Sequence, residues 1–213
     1  MAEEGGGGDG KGKGGLAYRP VSGASRACCC GLLAFVFLAG LTALILYLVY
    51  RPSKPRFTVI GAAVYELNAT SQVPTAISTS MQFTVAIRNP NERSSLILDR
   101  LTAYAVYRDQ PITPPAPLPP LYQDEDSTVA VSPVLGGPFV PVSPEVAGGL
   151  VTDQAYGALG LRLVVMGRIK YKAGPFRSAW TRIFVRCDLL VGLKKGTYGQ
   201  VPILGATQCS VSS

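Results

Sequence analysis

Apolar positions fall along this chain in two patterns, one unbroken and one alternating. From Gly31 to Tyr50 the run GLLAFVFLAGLTALILYLVY holds twenty residues without a charge. At about 1.5 Å of rise per residue it makes a helix of about 30 Å, the thickness of one bilayer core. A helix of this length inside a protein normally keeps a polar stripe, and this run has none. Arg26 precedes it and Arg51, Lys54 and Arg56 follow, so both ends carry cations able to reach headgroups. Tyr47 and Tyr50 sit at the distal end, where amphipathic rings favour the interface. A cleaved signal peptide is the rival reading. Its apolar region is usually about 7–15 residues and closes on small residues, whereas this run ends Leu-Val-Tyr-Arg-Pro. The pattern predicts an uncleaved signal-anchor helix.

Past Arg51-Pro52-Ser53-Lys54-Pro55 the period becomes two. The prolines end the helix and make a short stiff spacer. Ser80–Arg88 sets Met81, Phe83, Val85 and Ile87 against Gln82, Thr84, Ala86 and Arg88, a half-buried strand. Leu159–Lys172 puts Leu161, Leu163, Val165, Ile169 and Tyr171 on one face, with Arg162, Arg168 and Lys170 on the other. After the turn Ala173-Gly174-Pro175, Ala179–Val191 returns with Ile183, Val185, Cys187, Leu189 and Val191 inward, which predicts a long hairpin. Phe57–Leu67, Leu96–Arg108, Thr128–Val131 and Phe139–Val142 supply shorter or less regular strands. Pro111–Pro120 carries six prolines and is expected as a loop or an edge. One helix is expected, capped by Ser143, with Pro144 at its first position and Glu145 in its first turn. It runs toward Tyr156, weakened by Gly148 and Gly149. Short strands with one helix predict an antiparallel β-sandwich of the immunoglobulin/fibronectin-like kind.

This divides the chain into a flexible Gly-rich tail (1–27), a transmembrane helix (28–50), a Pro-rich spacer (51–56) and a β-sandwich domain (57–213). The tail's Gly5–Gly8 run is low-complexity rather than phosphate-binding, with no strand before it and no helix after it. With Ala2 as the second residue, N-myristoylation is not expected. The net charge of +7 is spread out: residues 1–56 hold seven Lys/Arg against three acids, residues 57–213 thirteen against ten. That is too dilute for nucleic-acid binding. The chain has no histidine, so Ser-His-Asp and Cys-His catalysis and His-ligated zinc are excluded. A P-loop and a C-x-x-C pair are also missing from the sequence. No catalytic residue, cofactor or metal is expected, and the expected partners are the lipid bilayer and proteins. An enzyme acting on cell-wall material would have to use acids such as Asp124, Glu125 and Asp126, which read more simply as a solvated loop.

Several residues are candidates for modification. Cys28, Cys29 and Cys30 stand at the helix entrance, where juxtamembrane cysteines take S-palmitoylation; they read equally well as small apolar residues. Asn68-Ala69-Thr70 is an N-x-[ST] sequon expected on a loop just after a strand. Cys187 falls inward on the last long strand and Cys209 lies near the chain end. Bridged, they would pin the tail Gly192–Ser213; unbridged, they are a core cysteine and an incidental thiol.

Ordered short motifs behind the membrane run resemble the plant non-race-specific disease resistance and harpin-induced-like proteins. They are Tyr50-Arg51-Pro52, Pro55-Arg56-Phe57-Thr58-Val59, Arg88-Asn89-Pro90-Asn91, Tyr107-Arg108-Asp109-Gln110-Pro111-Ile112, Leu118-Pro119-Pro120-Leu121-Tyr122-Gln123, Val185-Arg186-Cys187 and Gln208-Cys209-Ser210-Val211. The resemblance covers most of residues 50–213 and leaves out the Gly-rich tail. It implies a late-embryogenesis-abundant group 2 type β-sandwich at the plasma membrane, the N-terminus cytosolic and the domain outside. It also implies roles in pathogen defence and stress, with partners among copies of itself or other membrane defence proteins, and carries over no catalytic residue. Asn89-Pro90-Asn91 is the family signature; physically it reads as a strand-ending turn, with a binding role as the alternative. A stress-protective domain facing the cytosol is the other functional reading.

Overall fold

A computed structural model describes residues 23–50, 52–70, 75–193 and 199–212. Most of the Gly-rich tail, residues 1–22, lies outside them. The chain divides between Val49 and Tyr50 into two units. The first is built on helix α1, Gly23–Tyr50, which starts before the apolar run and takes Cys28, Cys29 and Cys30 into its early turns. Cys30–Leu48 is long and apolar enough to cross a membrane. Its large side chains, from Leu32 to Leu48, lie exposed.

The second unit is an antiparallel β-sandwich with one short helix. In chain order it comprises β1 (Arg56–Thr70), β2 (Ala76–Arg88), β3 (Ser95–Tyr107), β4 (Gln110–Pro111), β5 (Ala116–Pro117), β6 (Leu121–Gln123), β7 (Thr128–Val131) and β8 (Val134–Pro141). Then come α2 (Pro144–Tyr156), β9 (Ala158–Ala173), β10 (Phe176–Arg177), β11 (Thr181–Gly192), β12 (Gly199–Val201) and β13 (Ser210–Ser212). One sheet runs β12-β1-β2-β7, with β8 also on β2; the other runs β13-β11-β9-β3, with β4, β5 and β6 on the outer edge of β3 and β10 on β9. The alternating residues meet between the sheets, where Phe57, Met81, Phe83, Leu96, Leu98, Leu163 and Val185 are buried together. The expected hairpin is β9–β11, paired from Gly192↔Ala158 to Thr181↔Ile169. The proline-rich segment forms two-residue edge strands, where a missing N–H can face outward.

Helix α2 keeps the expected start: the Ser143 hydroxyl accepts from Val146 N (3.3 Å), and Gly157 ends it in a left-handed conformation (φ 80°). Gly149 now has a reason. A Cβ there would meet the Tyr107 hydroxyl at 2.8 Å and the Arg108 guanidinium at 2.7 Å, whereas at Gly148 it would meet nothing.

Three expectations need correction. Asn68 is not on a loop but inside β1, opposite Ser78, because β2 hydrogen-bonds the strand onward past its last core residue, Leu67. The strand expected at Phe139–Val142 begins earlier, at Val134, where β8 joins β2. The C-terminal tail is not loose apart from a disulfide. From β12 on β1 it crosses to β11, where Leu204 N donates to Leu190 O (2.7 Å), and returns to β1 with Val59 N donating to Thr207 O (2.8 Å). It then pairs with β11 as β13, so this strap closes one side of the sandwich.

Candidate functional site

A dense polar construction stands where the spacer reaches the sandwich. β2 ends at Arg88, and the chain turns through Asn89-Pro90-Asn91 toward β3. Asn89 is fully buried. Its Nδ2 donates to the carbonyls of Ser94 (2.7 Å) and Asp124 (3.0 Å), and its Oδ1 accepts from the backbone N (3.2 Å) and Nδ2 (2.9 Å) of Asn91. Its own N–H donates to Ser127 O (2.9 Å). One residue, through its side-chain amide and its backbone N–H, therefore ties together the ends of β2, β3, β6 and β7.

Asn91 then reaches back to Ser53. Its Oδ1 accepts from Ser53 N (2.7 Å), and its Nδ2 donates to Ser53 O (2.9 Å). Such a two-point clasp needs a donor and an acceptor side by side, which an amide has and a carboxylate lacks. The Tyr171 hydroxyl donates to the same Ser53 carbonyl (3.2 Å), and burial pushes its pKa up to about 12, so it remains a neutral donor. Next to this cluster Gln123, also buried, donates from Nε2 to Ile87 O (2.9 Å). The Asn91 N bond to Asn89 Oδ1 closes an Asx-type turn, with the backbone bending at Glu92 and Arg93, and the segment also fastens the spacer to the domain. The partners Ser53, Tyr171 and Gln123 carried no sequence signal for these roles, since contacts across 38 or 118 residues have no local pattern.

A second feature is an open groove of about 770 Å³ on the outer face of β1 and β2, beside the strap. Thr58, Tyr65, Gln82, Thr84, Gln200 and Thr207 are among its lining residues, and none of the lining residues is charged. Its polar groups are held in place: Tyr65 Oη donates to Gln82 Oε1 (2.8 Å), Gln82 Nε2 to Ser132 O (3.3 Å), and the Thr84 and Ser132 hydroxyls pair at 3.0 Å. Such a surface offers hydrogen bonds and one aromatic ring to an uncharged ligand.

The remaining candidates are scattered. Cys187 and Cys209 are joined in a disulfide, 22 residues apart, fixing the strap to β11. Closing such a loop contributes about 3 kcal/mol in the chain-entropy description. Asn68 is exposed near the end of β1 farthest from Ser53. Cys28 and Cys30 are exposed free thiols on α1, far in sequence from the domain. Asp124, Glu125 and Asp126 form an exposed turn in which Asp126 pairs with Arg88 (3.0 Å) and Asp124 contributes its carbonyl to Asn89. Among the described residues, no three His, Cys, Asp or Glu side chains are grouped as a metal site requires.

At the opposite end of β3, Arg108 and Asp109 (φ 46° and 62°) make the tight turn to β4. There the Tyr107 hydroxyl donates to Asp153 (2.6 Å), and burial, then this carboxylate, push its pKa up to about 12. On the outer face of the second sheet Arg162 holds the Asp188 carboxyl below the usual range, and Arg168 does the same for Asp99.

Sequence comparison meets this geometry at the clasp. The sequence model of the family described as late embryogenesis abundant protein matches residues 84–187, from the middle of β2 through Asn89-Pro90-Asn91 to Cys187. NDR1/HIN1-like protein 1 of Arabidopsis thaliana is 33% identical over 187 residues, covering 85% of this chain and 90% of that protein. The chain belongs to the NDR1/HIN1-like family. NDR1/HIN1-like protein 12 of the same plant is 33% identical over 170 residues, 80% of each chain, and protein 26 is 29% identical over 183, covering 85% of this chain and 83% of that one. The match extends beyond the late embryogenesis abundant segment, so the NDR1/HIN1-like likeness takes in more of the chain than the sandwich strands β2–β11 alone.

Proposed function

We propose that this protein is anchored by α1 in the plasma membrane, N-terminus in the cytosol and sandwich outside, and serves pathogen defence and stress responses by binding rather than by catalysis. The observation that carries the anchor is the exposure of α1's apolar side chains all round, since an apolar helix of bilayer length needs an apolar phase. The Cys187–Cys209 disulfide supports the exterior side, because such bonds persist in oxidising compartments. The uncharged groove of β1 and β2 is the binding face of this reading, and partners include further copies of the protein or other membrane defence proteins.

The test is made on the full chain in plant cells. External protease should remove the sandwich from intact cells, and an endoglycosidase-sensitive mass shift should vanish in Asn68→Gln. Thr84→Arg, which puts a charge into the groove, should accumulate at the membrane like wild type yet fail to restore the defence or stress response of a line lacking the gene. A protected domain with free thiols at positions 187 and 209 would place it in the cytosol as a stress-protective module. Full restoration by Thr84→Arg would remove the groove from the function.

A further inference from the structure

The β9–β11 hairpin has a composition that the anchor and the groove leave unused. From Arg168 to Arg182 the chain reads RIKYKAGPFRSAWTR, five cations and three aromatics without one acid. Ala173, Gly174 and Pro175 turn it back, and Phe176 and Arg177 pair with Ala173 and Lys172 to square off the tip. Phe176 is 75% exposed and Trp180 41%, although neither is needed to close the core. The Arg168 guanidinium lies 4.5 Å from the Trp180 ring centroid and the Lys170 ammonium 5.4 Å, so two cations pack on the indole. Arg168 is neutralised by Asp99. Among the described residues Lys170, Lys172, Arg177 and Arg182 form no ion pair.

Two further facts say what this surface meets. Tyr171, within the hairpin, bonds Ser53, and Ser53 is three residues from the end of α1 at Tyr50. Three residues reach at most about 11 Å, so this end of the sandwich is tethered close to wherever α1 leaves the bilayer. The acids Asp124, Glu125 and Asp126 follow β6, which pairs with β3 on the edge opposite β9, so they are separated from the hairpin by a strand. The hairpin therefore presents unpaired positive charge, flanked by exposed Phe and Trp. Aromatic rings with clustered Lys and Arg are the composition that favours a membrane surface.

We propose that the end of the β9–β11 hairpin, through Lys172, Arg177 and Arg182 with Phe176 and Trp180, docks on anionic headgroups of the membrane that α1 crosses. The inference rests on α1 being the anchor, and the acidic headgroups are those of the leaflet the sandwich faces, not the phosphatidylserine and phosphoinositides that charge the cytoplasmic leaflet. Its occupant is the lipid surface rather than an anionic polymer because the tether keeps the hairpin near lipid at all times.

Trp180 is the chain's only tryptophan, so excitation at the red edge of protein absorption reports this hairpin alone. The full chain is placed in nanodiscs of phosphatidylcholine, with or without one third phosphatidylglycerol, each with a trace of headgroup-labelled energy acceptor. Trp180 emission should shift to the blue and energy transfer should rise at least about twofold in the anionic discs, each lost cation weakening docking roughly fivefold. Half-molar salt should reverse the change, since it shortens the screening length to about 4 Å. The Lys172→Gln, Arg177→Gln, Arg182→Gln triple variant should lose the response while keeping Arg168 and Lys170 beside the indole. A signal indifferent to phosphatidylglycerol, or a triple variant that still responds, overturns the proposal. So does a Trp180 shift produced by soluble polygalacturonate and not by anionic lipid, which would make the occupant a polysaccharide. If the chain does not co-elute with discs of either composition, the anchor itself has failed and the docking falls with it.

Discussion

Asn89 and Asn91 are two residues apart in one signature, and the structure assigns them unequal work. Replacing Asn89 by Ala removes both donors to the Ser94 and Asp124 carbonyls, in a site from which solvent is excluded. A lost hydrogen bond costs about 1 kcal/mol net, and a buried acceptor left unpaired costs about 1–3 kcal/mol more. With some relaxation of the turn, the expected loss is about 3–4 kcal/mol. For a domain of this size that lowers Tm by about 10 °C. Asn91→Ala removes the Ser53 clasp, whose partners are exposed and can bond water instead, and one of two donors to Asn89 Oδ1, which keeps the Asn91 backbone N–H, so its cost is about 1 kcal/mol. The assay is thermal unfolding of the full chain in detergent micelles, followed by Trp180 emission so that α1 does not contribute. A second readout is hydrogen exchange at the Ser53 amide, protected through Asn91 Oδ1. Asn91→Ala should speed it at least tenfold with little change in Tm. Equal destabilisation by the two variants would refute the division of labour, as would Asn89→Ala costing under 1 kcal/mol.

In helix α2, Gly148→Ala should raise stability by about 0.5–1 kcal/mol through helix propensity. Gly149→Ala should lower it, because its Cβ would press on the Tyr107 hydroxyl held by Asp153; opposite shifts of Tm from neighbouring glycines are the check. At acid pH the depressed carboxyls of Asp99 and Asp188 contribute stability that is present above the ordinary Asp value of 3.8 and lost as pH falls through their lower folded values. Asp188→Asn should therefore flatten the fall of Tm below about pH 4, read by unfolding scans at a series of pH values.

The parts of the fold legible in the sequence are those with a local cause. Met81 to Ile87 and Ile183 to Val191 alternate because each strand buries one face, and that period survives without knowledge of the partner. Ser143, Pro144 and Glu145 mark the start of α2 because caps act within one turn. Legibility fails where the period is broken. Bulges at Val59/Gly61 and Val64/Glu66 shift β1 against β2, so the strand changes face and runs on through Asn68 where its polar residues suggest a loop. The strap fails for a different reason: β12 and β13 have three residues each, too few to show a period, and are strands only because β1 and β11 offer free edges.

The clasp is the sharpest case. Asn89-Pro90-Asn91 can be read from its own residues as a turn, since Asn and Pro favour those dihedrals wherever they occur. A turn, however, would tolerate Asp, Ser or Gly at both ends. What calls for an amide at both positions is polar geometry: at 89 two carbonyls converge on one buried NH₂, and at 91 a backbone N–H and C=O of the same residue are met together. Those demands come from Ser94, Asp124 and Ser53, which are set by the assembled sheets and not by the neighbouring sequence. Asn91→Asp separates the two causes. It keeps the turn preference and the acceptor for Ser53 N but removes the donor to Ser53 O and to Asn89 Oδ1, so a turn alone predicts wild-type protection of the Ser53 amide. The clasp predicts partial loss of protection, less than in Asn91→Ala, because the carboxylate still accepts one of the two bonds while repelling the carbonyl beside it.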